Sequence, residues 1–299
     1  MLRLERVQRS PQNLRYEVHL DDGASVEAVL YRSHSLCVSC QVGCAVGCPF
    51  CASGAFGLTR PLSLEEMIGQ VEAVLADGAE VTRVTVSGVG EPLHNRALLP
   101  FLDWCRARRI APSLTTSGGP LDRLVEALHA PHNGLTVSVH AGTEPTRACA
   151  VPHAPGLDAL FEVLGREVPG LSRKRRKKTA LAYLLVDGLN DTDAEVDAFV
   201  ARSLPLGLRA HLYAYNAVPT STLGPVGRDR YEAVYERMRA AGLRVHMSSQ
   251  ARVEANGGCG TLVALRRAED GARVDSAGSG VLRSANGAPR LPESPCNTT

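Results

Sequence analysis

The strongest constraint on how this chain can fold is an alternation between two hydrophobic periods. Short runs rich in Val, Leu and Thr are followed again and again by stretches with apolar residues at helical spacing. VTRVTVS gives a strand from about Val81 to Ser87, followed by a helix near 96–109. SLTTSG gives a strand and then a helix near 120–129, and LTVSVH gives a strand and then a helix from about 157. ALAYLLV (180–186), a helix at 191–203, AHLYAY (210–215), the helix RYEAVYERMRAAG with Gly242 as its cap, and LRVHMS complete the series. Ser63 and Glu66 form a capping box ahead of Leu64, Met67, Ile68, Val71 and Leu75. Repeated βα units build a parallel sheet with helices outside it. About six units are legible, which predicts an α/β fold, a partial (β/α)6 TIM-like barrel rather than a closed eightfold one.

Two segments flank this core. RYEVHLDDGASVEAVLY (15–31) reads as a β-hairpin turning at Asp-Asp-Gly, with Val26, Ala28 and Leu30 on one face and Glu27, Val29 and Tyr31 on the other. The expected organisation is an N-terminal hairpin extension over 1–35, a core over 36–270, and a Gly-, Ser-, Pro- and Asn-rich disordered tail over 271–299. No signal-peptide core opens the chain and no run of about 18 apolar residues occurs, so a cytoplasmic protein without a membrane span is expected. The net charge of +2 neither requires nor forbids a nucleic-acid partner. Locally, SRKRRKK (172–178) places six cations in seven residues, suited either to RNA phosphates or to a solvated loop.

Five of the nine cysteines crowd into CVSCQVGCAVGCPFC: Cys37, Cys40, Cys44, Cys48 and Cys51. In a reducing compartment such clustering points to metal or redox chemistry rather than to a disulfide framework. A zinc ribbon separates its two CxxC pairs by about 15–20 residues, whereas seven lie between Cys40 and Cys48. Cys44-x3-Cys48-x2-Cys51 suits three corners of a 4Fe–4S cube with the fourth iron open to a substrate. Small polar residues recur at later strand ends: Thr115, Ser138, His140 and Asn216. In βα barrels the carboxyl ends of the strands line the site. SGVGEPL (87–93) follows a strand but is not a dinucleotide fingerprint, since Leu93 stands at the third Gly position.

CAVGCPFC matches the CxxxCxxC signature of the radical S-adenosylmethionine (SAM) superfamily. Over about residues 15–265, CVSCQVGC, GEPLHN, TTSG, SVHA, LVDGLND, YN and CGTL fall in an order that resembles the RlmN/Cfr-type RNA methyltransferases. That resemblance implies a 4Fe–4S cluster on Cys44, Cys48 and Cys51. It implies SAM held by Gly90, Glu91, Thr115, Ser138, Val139, His140 and Asn216, with two SAM used per turnover and a flavodoxin-type reductant. Cys259 would take a methyl from one SAM. A 5′-deoxyadenosyl radical from the second would then activate that methyl for addition to carbon 2 or 8 of an adenine in 23S ribosomal RNA or transfer RNA. Cys37 would release the adduct through a transient disulfide with Cys259, and Glu27 would take the ring proton. Cys40, Cys105, Cys149 and Cys296 have no part in this scheme.

The sequence departs from the family in places. It begins almost directly at the hairpin, so the helical RNA-gripping domain of typical members is not expected, and CGTL stands for CGQL. Two other readings stay open on the residues: a radical SAM enzyme acting on a peptide or small molecule, and a non-enzymatic zinc-binding RNA module.

Overall fold

The computed structural model describes residues 2–32 and 34–247. Three antiparallel strands open the chain: β1 (Arg3–Arg9), β2 (Asn13–His19) and β3 (Ser25–Tyr31). β3 then pairs antiparallel with β4 (Ser35–Val38). A small separate ladder, β5 (Gln41–Gly43) with β6 (Leu58–Pro61), brackets the cysteine loop. The βα series follows as α1 (Leu64–Ala76), β7 (Arg83–Val86), α2 (Leu98–Ala107), β8 (Ala111–Thr116), α3 (Leu121–His129) and β9 (Gly134–Ser138). It continues through α4 (Glu144–Ala150), α5 (Leu157–Glu167), α6 (Arg173–Arg176), β10 (Thr179–Leu185), α7 (Asp193–Ser203), β11 (Arg209–Ala214), α8 (Arg228–Ala240) and β12 (Val245–Met247).

Ten strands form one sheet in the order β1-β2-β3-β4-β7-β8-β9-β10-β11-β12, parallel from β4 onward. This is the expected open (β/α)6 barrel. The hairpin also forms as expected, but it is hydrogen-bonded into the same sheet, and β1 adds an edge strand that the apolar pattern did not reveal.

Directly paired residues share a face, so the register sorts the whole sheet. Val26, Leu36, Val84, Leu114, Val137 and Tyr183 lie on one face, fully buried in a core shared with the helices. The other face is largely polar and carries Glu27, Cys37, Ser87, Thr115 and Ser138. Side chains alternate across a strand, so one apolar pattern commits half the residues to the core and leaves the other half for a site. No helix among the described residues is long and apolar enough to cross a membrane.

Candidate active site

The cysteine loop is the turn of the β5–β6 ladder. Gly43 has φ +81°, and a Cβ there would collide with the Gly57 carbonyl, so only glycine lets the loop close at its base. The Cys44 N–H donates to the Gly57 carbonyl (3.0 Å) and the Cys51 N–H to that of Cys48 (3.1 Å). Phe50 meets His140 edge-on at 5.5 Å and Tyr215 at 6.5 Å, pinning the loop over the ends of β9 and β11.

Burial pushes the Cys44 thiol up to about 12, and the Cys51 thiol and Glu91 carboxylate add to the shift. Burial also holds Cys48 well above the ordinary range, with Cys51 and Cys44 raising it further and Arg147 pulling it down. Three thiols on one loop thus oppose one another's ionisation, and a cationic centre bound among them would relieve that repulsion. The residues fit a three-thiolate iron–sulfur cluster in donor type and in lying near enough to raise one another's ionisation.

Beside the loop lies a cleft of about 250 Å3. Its lining includes Cys51, Ser87, Thr115, Ser138, His140 and Asn216, so four of the polar strand-end residues meet one cysteine of the trio. Val139 is not on that lining. It is fully buried in the core, its carbonyl accepts from Arg147 (2.8 Å), and its N–H donates to the Ala182 carbonyl (3.0 Å). Strand alternation turns it away from the face that Ser138 and His140 share.

Gly90 and Glu91 also lie outside the cleft lining, between the cysteine loop and the end of β8. Gly90 has φ +112°, and a Cβ there would sit 2.6 Å from the Gln41 Cβ and 2.9 Å from the Cys40 Sγ. The buried Glu91 carboxylate accepts from the Leu93 N–H (3.0 Å), the Thr116 hydroxyl (2.5 Å) and the Ser117 N–H (2.7 Å). Its own N–H donates to the Gln41 side chain at 2.8 Å.

His140 adopts φ +57°, and its Nδ1 accepts from the Leu184 N–H at 2.9 Å, which leaves the proton on Nε2. Burial first, then Arg147, push its pKa down to about 3, so the ring is neutral. Asn190, within the LVDGLND segment, ties the same corner together: its amide donates to the carbonyls of His140 and Leu184, each at 2.8 Å.

Cys37 is 3% exposed, and its Sγ lies 3.2 Å from the Ser87 hydroxyl on the cleft side. Cys40 packs into the hydrophobic core, where burial raises its pKa well above the ordinary value, followed by Glu91 and Cys44. Glu27 is 1% exposed on the Cys37 face, since its strand neighbour Val29 pairs directly with Cys37. Cys259 lies outside the described residues.

Arg147 was not legible in the sequence. It is 1% exposed and donates to the carbonyls of Ser117 (2.6 Å), Ser138 (2.7 Å), Val139 (2.8 Å) and Pro155 (3.1 Å). It thereby binds the carboxyl ends of β8 and β9 beneath Cys48. Burial lowers its pKa to about 10. An arginine on a seven-residue helix in TEPTRACA carries no local signal of this burial.

A model of the radical SAM superfamily matches residues 38–200. The dual-specificity RNA methyltransferase RlmN of Sorangium cellulosum (strain So ce56) is 34% identical over 77% of this chain and 61% of its own length. The protein of that name from Syntrophobacter fumaroxidans (strain DSM 10017 / MPOB) is 32% identical over 87% of this chain and 79% of its own. This chain therefore spans less than two thirds of the Sorangium relative. A crystallised radical SAM methyltransferase from Sphaerobacter thermophilus superposes with TM-score 0.76 at 28% identity, over 87% of this chain and 80% of the other.

Proposed function

Because this chain belongs to the radical SAM superfamily and, within it, to the RlmN/Cfr-type methyltransferases, we propose that it methylates carbon 2 or 8 of an adenine in ribosomal or transfer RNA. The observation that carries this reading is the shared polar face. Glu27, Cys37 and the cleft residues Ser87, Thr115 and Ser138 project from the side of the sheet that the core does not use. Family membership also favours an enzyme over the zinc-binding module.

A 4Fe–4S cluster held by Cys44, Cys48 and Cys51 supplies, when bound, the electron that cleaves SAM. Thr115, Ser138, His140 and Asn216 hold SAM in the cleft, and the neutral His140 offers an Nε2–H donor without adding a charge. Gly90 and Glu91 support that site by fixing the end of β8 against the cysteine loop, and Val139 contributes through its backbone position alone. Cys259 takes a methyl group from one SAM by displacement and carries the one-carbon unit to the ring while a second SAM is consumed. A carrier is needed because an amidine carbon of adenine is not nucleophilic. Glu27 takes the ring proton as the adduct radical gives up one electron, which the oxidised cluster would accept. Cys37 then attacks the Cys259 sulfur as a thiolate: the S–S bond forms, the bond from the Cys259 sulfur to the RNA-bound carbon breaks, and that carbon keeps the bonding pair and takes a proton to become the methyl group. The Ser87 hydroxyl, 3.2 Å away, donates to that thiolate. A flavodoxin-type reductant supplies electrons.

Peptide mass mapping of anaerobic protein from SAM-replete cells tests the carrier. The expected result is one added methyl on the Cys259 peptide, and Cys259→Ala should abolish RNA methylation. Retained methylation in that variant would sink the relay. Cys37→Ala should trap an RNA-linked protein on denaturing gels, since the bond to the RNA carbon then has no thiolate to break it.

A further inference from the structure

A second recess, of about 270 Å3, opens at the opposite end of the barrel, where β9 and β10 begin. Arg106 from the end of α2, His132 and Asn133 before β9, Ser172, Lys174 and Arg175 with α6, and Lys178 before β10 line it. Four of these are cations, and among the described residues no acidic side chain lines the recess. The Arg175 guanidinium is fixed, donating to the carbonyls of Leu128 (3.3 Å) and Ala130 at the end of α3. Lys178 Nζ reaches the Asn133 side-chain oxygen at 3.4 Å.

His132 is the telling residue. It is 6% exposed, and its ring nitrogens make no hydrogen bond of ordinary length and angle, although the Leu128 carbonyl lies close enough to favour the protonated ring. Buried polar groups are nearly always satisfied, so a buried ring with no well-formed hydrogen bond in a cationic recess suits an acceptor-rich ligand. Burial, then Arg175 and Lys178, hold the ring neutral with a pKa of about 4 against a smaller upward pull from the Leu128 carbonyl, and the neutral ring carries one N–H that a ligand could draw on. The charge of the basic run is also uncompensated, although the lining Arg106 has Asp103 at 3.6 Å. Arg60, Arg202, Arg230 and Arg237 are each paired with carboxylates, whereas Arg173, Lys174, Arg176 and Lys177 make no ion pair among the described residues. A lone carboxylate ligand would leave most of this charge uncompensated, and among the described residues no Phe, Tyr or Trp lines the recess to stack on a base.

We propose that this recess binds a phosphate of the RNA backbone, so that the basic run anchors the substrate at the end of the barrel remote from the chemistry. The inference rests on the RNA reading above. The phosphate would accept from His132, Lys174, Lys178 and the Ser172 hydroxyl, with the exposed cations of α6 meeting its neighbours along the chain. Asn133 and His140 are separated by β9 and its flanking residues, at most about 23 Å at about 3.3 Å per residue. That is the rise of about seven base pairs, so the contact belongs to a folded RNA rather than to the target nucleotide alone.

The test measures binding of bulk transfer RNA to the anaerobic full chain as a function of NaCl, comparing wild type with Lys174→Gln/Lys178→Gln and the charge-preserving Lys174→Arg/Lys178→Arg. Inorganic phosphate is titrated separately against each. The Gln pair should bind RNA roughly tenfold more weakly, with a salt slope smaller by about 1.4–1.8, as expected for two lost phosphate contacts. The Arg pair should bind as wild type. RNA-independent SAM cleavage should be equal in all three, which guards against misfolding. Wild-type affinity and slope in the Gln pair would overturn the proposal while leaving RNA methylation standing. Loss of inorganic phosphate binding with RNA affinity unchanged would overturn it in favour of a free phosphate site. An enzyme that carries methyl on Cys259 yet neither binds nor methylates RNA would overturn both this proposal and the RNA reading.

Discussion

Two buried charges of opposite sign, Glu91 and Arg147, are spent on this protein's own backbone. Glu91 gathers N–H and O–H donors at the end of β8, and Arg147 gathers four carbonyls at the ends of β8 and β9. Each leaves its partners stranded if removed, and stranded buried groups cost more than the bonds themselves contribute. Arg147→Met should therefore destabilise the protein by on the order of 3–5 kcal/mol, read as a lower urea midpoint under anaerobic conditions. Arg147→Lys should recover only part of that loss, because an ammonium cannot reproduce the planar spread of guanidinium donors. Such roles were beyond the sequence. Thr115, Ser138, His140 and Asn216 could be picked out because a strand end is visible in the pattern and a polar residue there has few other uses. Arg147 and Asn190 could not, because their partners are carbonyls contributed by distant segments.

Secondary structure was legible wherever hydrophobic period and capping agreed. The six βα units and the β2–β3 hairpin follow from them, and the box at α1 is present in full: the Glu66 N–H donates to the Ser63 hydroxyl (3.1 Å), and the Ser63 N–H to the Glu66 carboxylate (2.8 Å). Ser63→Ala should cost about 1 kcal/mol in a thermal or urea unfolding measurement. Glu66→Ala should cost more, since that carboxylate also takes both terminal nitrogens of Arg60 at 2.8 Å, while Arg60 Nε holds Asp22 in the hairpin turn at 2.7 Å. Several elements hid from the pattern. In β1, Arg3, Glu5 and Arg9 break any apolar alternation, as suits a strand at a sheet edge, where charge discourages pairing with another molecule. β5 and β6 are too short to show a period. The basic run looked like a loop, yet Arg173–Arg176 form a helical turn capped by Ser172, whose hydroxyl accepts from the Arg175 N–H at 3.3 Å.

At the scale of the molecule, the two ends of the barrel differ in what they ask of pH. His132 titrates at about 4 in the fold against an ordinary value near 6.5. The unfolded chain binds the extra proton first, so its contribution is whole above about pH 6.5 and is lost as the pH falls toward 4. The loss is on the order of 3 kcal/mol. His132→Asn should flatten the fall in unfolding free energy between pH 6.5 and 4 in urea titrations, whereas an unchanged acid limb would assign the loss elsewhere. The strand that carries Cys37 has a different consequence, one of portability. β4 is held on one side by antiparallel β3 and on the other by parallel β7. The stretch common to the wider superfamily begins at Val38, the last residue of that strand, and stops inside α7. A piece trimmed to those limits would lose both Cys37 and the neighbour that sets its register, and it would leave a raw sheet edge in their place. Anyone transplanting the cysteine loop into another scaffold must move the first three strands along with it.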